Sequence, residues 1–192
     1  MSLRDALARR REMEAGVRWA TPIFDNVLWL GSGRDASNAE QLRAHGITHV
    51  LNAADDVPNF HEHDDSLGLT YMCLGITDFG GDAGSARCFP RAAAFVRAAL
   101  GMRAGKGGSE DAGAGAGRVL VHCANGSNRS VTVVLALCMD VWGLSLKQAW
   151  AAVKARRPSS QPLRDNQAQL LEYERKTRGS NTLGPGTGRP FK

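Results

Sequence analysis

The stretch Val119-Leu120-Val121-His122-Cys123-Ala124-Asn125-Gly126-Ser127-Asn128-Arg129-Ser130 decides how the rest of the chain is read. Val119 to Val121 form a short apolar, β-branched run that predicts a buried strand. The following loop opens at Cys123, contains Gly126 and closes at Arg129, six positions after the cysteine, where the apolar run Val131 to Leu137 begins a helix. A loop wrapped between a strand and a helix N-terminus turns successive backbone N–H groups inward, and the helix dipole adds positive potential at the same place. That is the layout of an anion cradle.

The residue types in the loop point to one chemistry. The positive potential that suits a phosphate dianion also favours the thiolate of Cys123, the attacking form of the side chain. Arg129 supplies a planar fork able to hold two phosphate oxygens, a geometry that lysine lacks. Gly126 allows the tight turn, and Ser130 can hydrogen-bond the sulfur when it departs as a thiolate. His122 is expected to order the loop by hydrogen bonding. Ala124, Asn125, Gly126, Ser127 and Asn128, with Arg129, form the phosphate loop. A buried apolar cysteine beside an unrelated arginine is the alternative, and cysteine, glycine, arginine and serine at these offsets argue against it. Phosphoryl transfer to sulfur also requires an acid for the leaving oxygen and a base for the attacking water. Asp78, after a strand and on a glycine-bearing segment, is the candidate, with Asp82 as the alternative.

Working outward, Asn26 to Gly31 predicts a strand, and Ser37-x-x-Glu40 predicts a capping box starting a helix from about Asn38 to His45, stopped by Gly46. Ile47 to Asn52 is a β-branched buried strand, so a βαβ unit opens the domain. Asp55 to Leu69 reads as a loop; its His61-x-His63 pair lacks a convincing third metal ligand. Tyr71 to Leu74 resumes as a strand, and Phe89 to Leu100 has helical spacing. Residues 103–117 are glycine-rich and cannot build a packed core, so they predict an exposed insertion. Gly143 stops the helix that follows Arg129, Ser145-x-x-Gln148 is a second capping box, and Pro158 ends the next helix. A last helix spans about Asn166 to Lys176.

At 192 residues the chain suits one domain. Residues 1–20 predict a basic arm containing Arg9-Arg10-Arg11, with Val17 and Trp19 as a segment similar to kinase-docking sequences; 21–177 predict the catalytic domain and 178–192 a disordered tail. The net charge of +5 favours an anionic partner without requiring nucleic acid. Four dispersed cysteines without a C-x-x-C pair suggest neither a zinc site nor a disulfide framework. No hydrophobic leader or membrane span is evident, which predicts a cytoplasmic or nuclear protein without membrane contact. Oligomeric state is not readable. A regulatory disulfide from Cys123 to Cys73 or Cys88 is a further expectation, since a thiolate in such a loop is oxidisable.

These residues resemble the dual-specificity branch of the cysteine-based protein phosphatases, whose signature is His-Cys-x-x-Gly-x-Ser-Arg-Ser/Thr. Asn26 to Ser32, Gly46 to Ala54, Tyr71 to Asp78, Gly143 to Trp150 and Gln169 to Glu174 are similar to further family segments. The resemblance implies a single α/β domain with a central mixed β-sheet flanked by helices, a protein tyrosine phosphatase-like fold. It also implies a metal-independent enzyme without cofactors that hydrolyses phosphotyrosine and phosphoserine or phosphothreonine through a phosphocysteine. Its partner would be a phosphorylated protein, a protein kinase being one candidate. Asp78 matches the family's general-acid position better than Asp82. Asn128 stands where the family carries serine, and Leu163 and Asn166 replace its usual asparagine and aromatic. A phosphoprotein-binding module slowed by Asn128 and a phosphatase of non-protein phosphoesters are the alternatives, and the uncharged residues 124, 125, 127 and 128 disfavour lipid substrates.

Overall fold

A computed structural model describes residues 19–24, 27–77, 85–102, 117–184 and 191. Residues 1–18 of the basic arm, both candidate acids Asp78 and Asp82, residues 103–116 of the insertion and, beyond 184, all of the tail but Phe191 lie outside the described residues. The strands are β1 (Thr21–Phe24), β2 (Leu28–Ser32), β3 (His49–Ala54), β4 (Thr70–Ile76) and β5 (Val119–Cys123). The helices are α1 (Gly33–Ala36), α2 (Ala39–Ala44), α3 (Ser85–Ala99), α4 (Arg129–Asp140), α5 (Leu146–Arg156) and α6 (Arg164–Arg178).

The sheet order is β1-β2-β5-β3-β4. β1 pairs antiparallel with β2, and the other three pairings are parallel. The sheet is therefore mixed and flanked by helices, as the sequence predicts. Parallel strands need covering on both faces, and period-two alternation supplies it. Leu28, Leu30, Leu51, Val119, Val121 and Cys123 face the larger core with α3, α4 and α6. Trp29, Val50 and Leu120 face a smaller core with Leu42 and Ile47. Trp19, half of the docking candidate, stacks on His45 in this second layer, ring centres 4.7 Å apart and planes 4° from parallel.

The run Val131 to Leu137 is apolar all round because α4 lies inside the domain, with every residue from Arg129 to Met139 buried. Removing a side chain such as Leu135 to alanine there costs about 2–5 kcal/mol. The Ser145/Gln148 capping box starts α5 as predicted, with both reciprocal bonds made. Glu174, fully buried, accepts the Leu146 N–H at 2.7 Å and supplies a further partner for that helix end.

Several boundaries differ from the sequence reading. β1 was not predicted, being four residues with a proline at the second. The box expected at Ser37/Glu40 is not used; Asn38 caps α2 through the Gln41 N–H, and the box forms instead at Ser32/Asp35 around the four-residue α1. α3 begins at Ser85, four residues before the predicted start. Gln169 Oε1 accepts the Ala86 N–H at 2.9 Å, so a tertiary partner satisfies one N–H of the first turn ahead of Pro90. The predicted tail starts later than Gly179: Thr182 donates N–H and Oγ–H to Glu174 at 2.8 and 2.7 Å, and Leu183 is buried.

Gly117 returns the chain to β5 with its N–H on Ala99 O at 2.9 Å. A Cβ there would lie 2.7 Å from both Ala99 O and Thr48 Oγ1, so only glycine fits without displacement. Among the described residues no helix is long and apolar enough to cross a membrane.

Candidate active site

In open α/β sheets, sites form beyond the carboxyl ends of the parallel strands. Here all four parallel strands contribute at that edge. β5 ends at Cys123, β2 leads into Gly33, β3 into Asp55 and Asp56, and β4 ends at Ile76. Gly33 N–H donates to Ala124 O at 3.1 Å, tying the turn after β2 to the start of the loop.

The loop's carbonyls are held on its outer side. Ala124 O accepts from Gly33, Gly126 O from Arg157 Nε at 2.8 Å, and Ser127 O from the Gln161 N–H at 2.7 Å. Asn128 O accepts both the N–H and the Oγ–H of Thr132 at 2.9 Å. Because C=O and N–H of a trans peptide point in opposite directions, the N–H groups of residues 125, 127, 128 and 129 turn to the inside. Gly126 N–H points at Cys123 Sγ from 3.3 Å, and Ser130 Oγ lies 3.2 Å from the same sulfur. Cys123 thus sits on the floor of a ring of donors at the positive end of α4.

Gly126 is the residue this ring cannot change. Its φ of +68° is left-handed, and a Cβ would lie 2.6 Å from Gly31 O and from Arg157 Nη2. Arg157, half-buried beneath it, also donates Nη1 to Thr21 Oγ1 at 3.0 Å. Burial pushes its pKa down, opposed by Asp35 and Cys123, and it stays a cation behind the loop.

Arg129 is buried at 1% exposure. Its Nη1 donates to Asp56 Oδ1 at 2.5 Å, Ile76 O at 3.1 Å and Asp55 Oδ1 at 3.3 Å. The guanidinium plane is therefore set by the ends of β3 and β4. The Arg129 hydrogen bond holds the Asp56 carboxyl below its ordinary range, against a smaller opposing effect of desolvation. Asp55 and Asp56 escaped the sequence reading, although an acidic pair just after a parallel strand, on the sheet edge that carries the cysteine, was a usable signal.

His122 behaves differently from expectation. It is fully buried, and neither ring nitrogen makes a hydrogen bond among the described residues. Burial pushes its pKa down to about 4, opposed by the Cys123 backbone and the Asp35 carboxylate, so the ring is neutral at pH 7. The loop is ordered instead by Gly33, Arg157, Gln161 and α6. Asn128 takes part in that order: its Oδ1 accepts the Leu163 N–H and Asn166 Nδ2, each at 2.8 Å.

The four cysteines are free thiols. Cys73 Sγ lies 3.5 Å from Ala54 O, and Cys88 Sγ 3.6 Å from Leu74 O. His61 uses Nε2 on Ser37 O at 3.0 Å, and among the described residues no three His, Cys, Asp or Glu side chains are grouped to hold a metal.

A cysteine at the end of a central parallel strand, seated in a donor ring at a helix N-terminus and followed by a buried arginine, brings together the groups that thiol-based phosphoryl transfer requires. The chain belongs to the family described as dual specificity phosphatase, catalytic domain, which it matches over residues 28–176. It is 36% identical over 165 residues to human dual specificity protein phosphatase 9, covering 85% of this chain and 38% of that protein. It is 36% identical over 167 residues to Drosophila melanogaster dual specificity protein phosphatase Mpk3, covering 86% and 35%. The chain thus spans well under half the length of these relatives. The crystal structure of human DUSP28 superposes with a TM-score of 0.69 at 28% identity, covering 84% of this chain and 96% of that one.

Proposed function

We propose that this chain is a metal-independent phosphoprotein phosphatase acting on phosphotyrosine and phosphoserine or phosphothreonine. One observation carries the reading: Cys123 Sγ faces the Gly126 N–H and Ser130 Oγ inside a loop whose carbonyls are tied outward, with Arg129 at its end. Cys123 attacks phosphorus in line with the leaving oxygen, forming the S–P bond as the P–O bond breaks. The inward N–H groups and Arg129 hold the non-bridging oxygens as charge spreads over them. Asp78 protonates the departing alkoxide or phenoxide. It then takes a proton from water as that water attacks the phosphocysteine, releasing phosphate and the thiolate, which Ser130 steadies. A phosphorylated protein, a protein kinase among the candidates, is the substrate class, reached from the cytoplasm or nucleus.

The binding-only alternative rested on Asn128 as a defect. Its two hydrogen bonds to α6 favour the turnover reading, since they make Asn128 part of what holds the loop.

Hydrolysis of a chromogenic aryl phosphate tests the mechanism. Cys123→Ser is expected to lower kcat by at least about 10⁴-fold, and Asp78→Ala by about 10²–10⁴-fold, with no change on adding chelator. Turnover that survives Cys123→Ser overturns the mechanism.

A further inference from the structure

Asn128 is the N-cap of α4, yet its side chain does not cap that helix. Its φ of −116° and ψ of −84° lie outside both helical and extended values, and its side chain turns away to α6. There Asn166 Nδ2 and the Leu163 N–H converge on the one oxygen. Leu163 is the N-cap of α6 and has no capping side-chain bond of its own, so Asn128 serves as an acceptor for the wrong helix by sequence and the right one in space. Behind Asn166, Ser85 Oγ donates to Asn166 Oδ1 at 3.2 Å. All three side chains are buried, at 8%, 7% and 1% exposure for Asn128, Asn166 and Ser85.

This arrangement fixes the amide of Asn166. The Leu163 backbone N–H can only donate, so it fixes Oδ1 of Asn128 toward α6; Asn166 must then turn Nδ2 to that oxygen and Oδ1 to Ser85, whose hydroxyl donates to it. Asn128 is bonded to Arg129, whose N–H is one of the inward donors and whose guanidinium lies under the sheet edge. A change in the Asn128 side chain therefore moves the peptide that presents Arg129.

We propose that Asn166 is a positioning residue for phosphate capture: supported by Ser85, it holds Asn128 so that the loop N–H groups and Arg129 converge on one oxyanion. The proposal rests on the phosphate-cradle reading above and extends it to a residue that touches no substrate.

The test uses tungstate, a phosphate-shaped dianion, titrated calorimetrically into the full chain carrying Cys123→Ser, so that binding is read without turnover. Adding Asn166→Leu is expected to weaken tungstate binding about tenfold, the cost of leaving a buried acceptor short of a donor. Adding Ser85→Ala is expected to weaken it about two- to threefold. Asn128→Leu with Asn166→Leu together should be no worse than Asn128→Leu alone, because the two act through one contact. In the active chain Asn166→Leu should raise KM more than it lowers kcat. Asn166→Asp, nearly the same size, covers the case in which leucine does not fold. At pH 7 it places a carboxylate against Asn128 Oδ1 and should weaken tungstate binding at least as much as leucine does. Unchanged tungstate affinity in these variants, or effects of Asn128→Leu and Asn166→Leu that multiply, overturn the proposal while leaving the phosphatase reading intact. A parent chain that binds no tungstate overturns the cradle and this proposal together.

Discussion

Cys123 precedes the N-terminus of α4 and Cys138 lies in its last turn; both are hidden, at 2% and 0% exposure, and both touch the larger core, yet only one has polar partners on its sulfur. Cys123 lies at the positive end of the helix dipole with an N–H and a hydroxyl on its sulfur. Cys138 sits in the last turn, toward the negative end, inside the apolar core, and burial pushes its thiol pKa well up. Burial alone therefore does not decide what a thiol does; the groups that replace water around it do. The loop offers its sulfur an N–H and a hydroxyl, whereas the core offers Cys138 apolar side chains.

Alkylation should break the comparison most sharply. Iodoacetamide at neutral pH is expected to modify Cys123 at least about 10³-fold faster than Cys138, which reacts only when the core opens. Peptide mapping of a short exposure reads this directly, and equal labelling in the folded protein contradicts it. Next in size is Gly126→Ala, which forces the loop off Gly31 and Arg157; kcat/KM should fall about 10²-fold, the order of effect that misplacing a reacting group produces. Melting temperature should fall less than it does for Leu135→Ala, since the damage is confined to the cradle.

Asn128→Ser gives a smaller change with an informative sign. Serine has a shorter side chain that cannot reach Leu163 and Asn166 in the same way, so kcat/KM should fall about tenfold. A gain in rate would favour the binding-only reading, in which Asn128 slows the enzyme.

An effect on stability rather than on rate concerns His122, which could be mistaken for the cation that distinguishes the two sulfurs. Its folded pKa of about 4 lies below the unfolded value of 6.5. As pH falls from 6.5 toward 4, the unfolded chain takes up the proton first. The stability associated with burying the neutral ring is complete above 6.5 and is lost across that window, by up to about 3 kcal/mol. Denaturant titrations of His122→Phe should show a shallower loss over the same range, and an unchanged slope would mean that the ring is not held neutral.

The cradle was legible because its signal is local. Cys123, Gly126, Arg129 and Ser130 lie within eight residues, and strand, turn and helix each carry their own pattern. The capping box at Ser145 and the helix stop at Gly143 were legible for the same reason. What escaped was non-local or too short. Asn128 and Asn166 are 38 positions apart, and Asp56 is 73 from Arg129; only the closed sheet brings them together. β1 is four residues, with Pro22 breaking its alternation, and its pairing with β2 defines it rather than its own composition. His122 was misread because a histidine beside a nucleophile suggests a hydrogen bond, whereas its position on the alternation of β5 places it between the sheet and the second layer.

The hydrogen bond from Gly117 to Ala99 O gives the domain a seam. The chain leaves after α3 and comes back to β5 at nearly the same point, so residues 103–116 can be exchanged without asking the sheet to accommodate a new span. Closure cost rises by only about 0.6 kcal/mol for each doubling of length. The seam is therefore a port: new chain ends, a fluorescent reporter or a substrate-recruiting module could be grafted there, with β5 and the cradle beyond it left as they are.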